Sequence, residues 1–166
     1  MKNSVLVSMI EYFGCDVRRI NHALKVYGFA SAIGYGEELD LPTMKILEIA
    51  AALHDIGIPV AEAKYGSCNG KYQEIEGPPI AREILQKLKV ESNLLDRVCY
   101  LIGNHHSYSK IDGIDFQILI EADFLVNIFE DQMSQKNIES IGKKYFKTAT
   151  GLSILKSMHH FNQSSN

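Results

Sequence analysis

"AALHDIGIP" (residues 51–59) runs from small apolar residues into an imidazole beside a carboxylate, then a glycine and a proline. Alanine and leucine favour a helix, and Gly57 and Pro59 end one, so His54 and Asp55 occupy a last helical turn. At ~100° per residue, His54 lies above Ala50 and Leu47, while Asp55 lies above Ala51 and Glu48. The imidazole therefore rises from an apolar stripe. Taken alone, the pair has a plain reading, in which His54 satisfies a helix-end carbonyl and Asp55 is solvated.

Outward from this helix, apolar residues recur at three-to-four spacing, and no segment sustains the two-residue alternation of a strand. The fold class expected is all-α. Helices are predicted over 3–13, 16–34, 42–56, 78–89, 93–107, 115–131 and 150–161, with a weaker one over 134–145. Asp16 is placed to cap the second helix, Pro42 suits the first turn of the third, and Ser92 is a further N-cap candidate. The stretch 57–77, rich in glycine and polar residues, reads as a long irregular segment of the kind that forms lids. One domain over 1–166 accounts for the chain, with a core at about 16–131, C-terminal helices over 134–161 and a frayed tail at 162–166.

Composition narrows the function. The 166 residues are 46% hydrophobic and 22% charged, as in ordinary globular proteins. A formal charge of −3 offers no basic surplus for a nucleic-acid backbone, so a small ligand is expected. Cys15, Cys68 and Cys99 form neither a disulfide framework nor a zinc knuckle, which suits a reducing cytoplasm. The N-terminal apolar stretch is too short for a signal peptide or a membrane span.

Further imidazoles and carboxylates sit on core-facing stripes. His22 aligns with Val26, Phe29 and Ile33. His105 and His106 close the helix "LLDRVCYLIGNHH". Asp123 lies in "FQILIEADFLVNIF", apolar nearly all round, where an unpaired carboxylate costs several kcal/mol. Asp123, Asn127 and Glu130 also share one stripe, which reads equally as the wet side of a helix. Four of the six histidines and two aspartates, from four helices, would be buried or helix-terminal together. Such nitrogen and oxygen donors suit manganese, iron, cobalt, nickel, zinc or magnesium.

The order His22, then His54-Asp55 within "HDIG", then Asp123 resembles the H…HD…D signature of the HD-domain metal-dependent phosphohydrolases, over about residues 20–131. The resemblance implies an all-helical bundle in which His22, His54, Asp55 and Asp123 ligate one divalent ion. Some relatives add histidines for a second metal. Here His105 and His106 match that pair, but Gln73 stands where another histidine is expected, leaving a second site incomplete. No GYP extension marks the cyclic-di-GMP branch.

The chemistry implied is hydrolysis of a small phosphate ester, a nucleotide or nucleotide-like phosphomonoester, by water whose pKa the metal lowers toward ~7. Asp55 would both ligate and orient that water. Glu74 and Glu76 are candidates for the general acid, or simply charges favourable to a helix starting near Pro78. Arg18, Arg19, Lys64 and Lys71 are candidate phosphate contacts, with His105 and His106 beside them, and Tyr65 and Tyr72 could stack on a ring. The doublet His159-His160 is assigned to the surface. A homodimer is compatible with the sequence. Two other classes stay open: a metal-retaining sensing module without turnover, and a purely structural bundle.

Overall fold

The computed structural model describes residues 2–159 and, among them, forms no strand. The helices are α1 (Lys2–Phe13), α2 (Val17–Gly36), α3 (Leu41–Leu53), α4 (Ile58–Tyr65), α5 (Gly70–Lys87), α6 (Ser92–Ile102), α7 (Ile114–Glu130), α8 (Gln135–Tyr145) and α9 (Ala149–His159), with one 3-10 turn at Tyr108–Lys110. The all-α expectation holds. The tail at 162–166 and His160 lie outside the described residues.

At the centre, α2 packs against both α3 and α7, and α3 also contacts α6, α7 and α1. Val26, Ile33, Leu47, Leu53, Leu101, Phe116, Leu119 and Leu125 are fully buried there. Truncating one of these leucines to alanine costs about 2–5 kcal/mol through lost transfer energy and a residual cavity. Local signals agree with the packing at two helix starts. The Asp16 carboxylate accepts from Arg19 N at 3.1 Å, and Pro42 sits in the first turn of α3 behind an Asp40 cap. Ser92, however, is the first helical residue, and the N-cap position falls to Glu91, which makes no capping bond. The helix over 134–145 is as regular as the others.

The expected lid over 57–77 is instead two helices joined by residues 66–69. Asn69 caps α5 by accepting from Lys71 N, and α5 runs through Pro78 and Pro79. The glycines and prolines signal a break, but Gln73, Gly77, Ala81 and Leu85 recur every four residues and are all buried. That stripe, packed on α6 and α4, outweighs the local cost of two missing N–H donors. Gly57 makes the packing possible. A Cβ there would stand 2.6 Å from Gly77 N and 2.7 Å from Gln73 O, so the turn after His54-Asp55 lies directly on the α5 backbone.

Glu121 on α7 ties down the C-terminal helices. Fully buried, its carboxylate accepts from Lys147 N at 2.7 Å, Thr148 N at 3.0 Å, Gln117 Nε2 at 2.8 Å and the Thr148 hydroxyl. Two of these donors are main-chain groups of the α8–α9 turn, which Glu121 thereby fixes against α7.

Candidate metal centre

Each helix end delivers its side chain for a local reason. α3 stops at Leu53, and His54 turns its Nδ1 onto Ala51 O at 2.9 Å, which spends one unpaired carbonyl of the last turn. His105 does the same after α6, with Nδ1 on Ile102 O at 2.7 Å. Each Nδ1 must carry the proton to make that bond, so each Nε2 presents a lone pair inward. His22, two turns into α2, has Nδ1 3.0 Å from Glu130 Oε2 and is fixed in the same tautomer by a side chain. Glu130 is in turn held by Lys25 Nζ at 2.6 Å.

The inward atoms converge. His22 Nε2 lies 3.2 Å from His54 Nε2, 3.2 Å from Asp123 Oδ1 and 3.5 Å from Asp55 Oδ2. His54 Nε2 lies 3.4 Å from Asp55 Oδ2 and 3.6 Å from Asp123 Oδ1. Four acceptors, from three different helices or their ends, thus meet with no hydrogen among them when both imidazoles are neutral. Like lone pairs at such separations repel unless a cation lies between them. Metal–ligand bonds of ~2.1 Å place neighbouring donors ~3.0 Å apart in octahedral and ~3.4 Å apart in tetrahedral coordination. His22, His54 and Asp123 form a group whose mixed nitrogen and oxygen donors could hold a metal ion, with Asp55 Oδ2 beside them.

Protonation responds to the same demand. Burial alone would lower the pKa values of His22 and His54, yet Asp123 and Asp55 raise both, that of His54 well above the ordinary imidazole value. Burial would raise the Asp55 and Asp123 carboxyls, but the facing imidazoles draw them below the usual carboxylate range. The pocket demands positive charge, supplied by protons when no metal is bound.

Asp55 faces two ways. Its Oδ1 lies 3.4 Å from His105 Nε2, an atom buried with no hydrogen-bond partner, and Asp55, His105 and His106 form a second group able to hold an ion. Gln73 enters this second group. Its amide nitrogen donates to Cys68 O at 2.7 Å, leaving Oε1 to accept from His106 Nε2 at 3.1 Å. Burial and the neighbouring His105 push the His106 pKa down to about 4, so its ring is neutral. Gln73, the residue that stands where the resemblance leads one to expect a further histidine, thus hydrogen-bonds His106.

The remaining candidates are placed as follows. Glu74 accepts from His106 N at 3.0 Å and Ser107 Oγ at 3.1 Å, so both its oxygens serve the turn carrying the imidazoles. Glu76 accepts from Lys64 Nζ at 2.7 Å and Tyr65 OH at 2.9 Å, bracing α4 on α5. Arg19 is spent on Asp16 and Glu62. Arg18 and Lys71 are exposed, and among the described residues their side chains pair with no carboxylate. Tyr65 and Tyr72 stack on each other at 4.1 Å. His159, the last residue of α9, is half-buried. Sequence reasoning missed Glu130 as a partner of His22, although its place seven residues after Asp123, on the same helix stripe, was available as a signal. The main-chain partners Ala51 and Ile102 left no trace in residue type.

No helix among the described residues is long and apolar enough to cross a membrane. Comparison with curated proteins finds no match. A crystal structure of a predicted HD superfamily hydrolase from an uncultured Thermotogales bacterium superposes with a TM-score of 0.69 at 24% identity, covering 95% of this chain and 84% of that one. At that identity the likeness is one of fold. The model of the HD domain matches residues 19–149. Because that match takes in every helix that delivers a donor to this centre, the chain belongs to the HD domain family.

Proposed function

We propose that this protein is a metal-dependent phosphohydrolase that cleaves a small phosphate ester, a nucleotide or nucleotide-like phosphomonoester. The observation that carries the reading is the meeting of His22 Nε2, His54 Nε2, Asp55 Oδ2 and Asp123 Oδ1, which are all acceptors when both imidazoles are neutral. These four residues would hold the cation. When bound, a divalent ion acidifies water and screens the charge that develops on phosphoryl oxygens.

The chain's own groups supply the rest. Asp55, with one oxygen on each side, accepts a hydrogen bond from the attacking water and orients it. The unpartnered lone pair of His105 Nε2 is placed to accept from a water beside the phosphate, and neutral His106, held by Gln73, stands next to it. Glu74 and Glu76 act by position, since each carboxylate is occupied by two donors; Lys64 and Tyr65 also keep Glu76 below the usual carboxylate range. Of the candidate cations Arg18, Arg19, Lys64 and Lys71, Arg18 and Lys71 have no carboxylate partner among the described residues and are available to phosphate.

The test is release of inorganic phosphate from a panel of phosphate esters with manganese, iron, cobalt, nickel, zinc or magnesium, comparing wild type with Asp55→Asn. Turnover in wild type alone supports the reading. Equal background in both proteins, with metal retained by wild type, makes the chain a sensing module instead.

A further inference from the structure

At the end of α3 remote from the metal centre, a groove of about 430 Å³ lies between the start of α3 and the turn into α6. Leu41 is the first residue of α3 and His54 follows its last, so the 13 residues of that helix put about 20 Å between groove and centre. Leu41, Pro42, Ile46 and Leu94 make the walls mainly apolar. Leu41 is 80% exposed, more than any other large apolar side chain among the described residues. It adds nothing to the core of its own chain, and the cap of α3 is supplied by Asp40 without it.

Two charges frame the groove, and neither has a use within the chain. Glu91 holds the N-cap position of α6, where a short polar side chain would satisfy a free N–H, yet its carboxylate makes no capping bond. Among the described residues it pairs with no cation, and Lys45 on the α3 wall pairs with no carboxylate. One wall of an apolar groove thus carries a spare cation and the other a spare anion.

That arrangement selects its occupant. A surface that meets its own copy across a two-fold axis must be complementary to itself. A half-turn sets Lys45 of one copy against Glu91 of the other, and the same pair forms again on the far side of the axis. A partner of a single charge sign would set one of the two groups against its like, and an uncharged partner would cover both without a counter-ion.

We propose that this groove is a self-association surface, on which a second copy of the chain docks about a two-fold axis, each Leu41 entering the other's groove between two Lys45–Glu91 pairs. The copies join back to back. Because the grooves lie at the opposite end of α3 from His54, both metal centres point away from the contact, and neither copy supplies a residue to the other's centre. The inference is independent of the hydrolase reading.

The test is the oligomeric state of the full chain, read by sedimentation equilibrium over a range of concentrations. Wild type should dimerise reversibly. Lys45→Glu and Glu91→Lys each bring like charges together at two places, and each should weaken the dimer by at least about tenfold, the effect of one charge-assisted contact. The exchanged double variant Lys45→Glu/Glu91→Lys restores opposite signs and should recover an affinity within about threefold of wild type, the pattern of a coupled pair. Leu41→Asp should leave monomer alone, while an acid at the first helical residue keeps α3 favourable. Each variant should melt close to wild type, which separates loss of the contact from loss of the fold. A wild type that stays monomeric up to its solubility limit overturns the proposal. So does a dimer indifferent to Leu41→Asp, or single reversals whose loss the exchange fails to restore.

Discussion

Glu130 Oε2 lies 3.0 Å from His22 Nδ1, while Asp123, two turns earlier on the same helix, faces the Nε2 of that imidazole at 3.2 Å. One helix thus grips both nitrogens of the ring, one as ligand partner and one as orienting acceptor. Carboxylates behind metal-bound histidines fix the ring and raise its basicity, and their loss costs about 10–100-fold in metal affinity. Glu130→Gln is expected to fall in that range, with manganese affinity measured by competition against a chelating dye. An unchanged affinity would show that His22 needs no carboxylate behind it.

A cation that binds only the folded chain stabilises it by mass action, by about 2.7 kcal/mol at a hundredfold excess over Kd. Manganese added to metal-stripped protein is expected to raise Tm by several degrees, and chelation to reverse the gain. His54→Ala and Asp123→Ala should remove the response. Differential scanning calorimetry with and without metal reads it directly; a wild-type Tm indifferent to every divalent ion would defeat the metal-centre reading.

Gln73 predicts an asymmetry between the two halves of the centre. Its amide oxygen occupies His106 Nε2 and is a weaker donor to a borderline ion than imidazole. One ion should bind tightly and a second weakly. Gln73→His is expected to move stoichiometry toward two ions, whereas His105→Ala and His106→Ala impair turnover more than retention of the first ion. Titration calorimetry showing two equally tight sites in the unaltered protein would refute it.

Glu121 should matter to the fold out of proportion to its single carboxylate. Glu121→Ala leaves the buried Thr148 N–H and the Lys147 N–H without acceptors, at about 1–3 kcal/mol each. A fall in Tm of roughly 4–24 °C follows at ~2–4 °C per kcal/mol for a chain of this size. Because Lys144 and Tyr145 precede that turn, hydrogen exchange should speed up in α8 and α9 before it does in α3. Uniform exchange across the bundle would remove the special role of this carboxylate.

Arg97 clamps the approach to α7, with Nη2 2.7 Å from both Asp112 and Asp115 and Nε 2.8 Å from Asp115. Its hydrogen bonds hold the Asp112 carboxyl below the usual range. A depressed carboxyl contributes stability above its unfolded pKa of ~3.9 and loses it as pH falls through the lower folded value. Arg97→Ala should therefore have a lower urea midpoint than wild type at pH 7, with the gap narrowing near pH 3. A gap that widens in acid would contradict the assignment.

How much of this was legible follows from the kind of signal each feature leaves. His54-Asp55 taken alone read equally as a helix end, and Asp123 equally as the wet side of its helix; the joint set of imidazoles and carboxylates and the order H…HD…D made them legible. The course of α5 was not legible. Its Gly77-Pro78-Pro79 sequence favours a break, and only the contact between Gly57 and the α5 backbone, a tertiary fact, explains the continuous helix. The groove stayed hidden because Leu41 and Lys45 meet Glu91 and Leu94 from a separate segment, and their spacing along the chain carries no periodicity.

The imidazoles differ in who keeps them in register. His54 and His105 are oriented by the carbonyls of Ala51 and Ile102, groups present whatever side chains stand at 51 and 102. Their orientation is therefore inherited with the helix ends and survives drift in sequence around them. His22 depends on Glu130, a side chain that one codon change can remove. Of the three imidazoles, His22 alone owes its orientation to a side chain, so a substitution at the contact between α2 and the end of α7 can retune its ring without touching the ring itself.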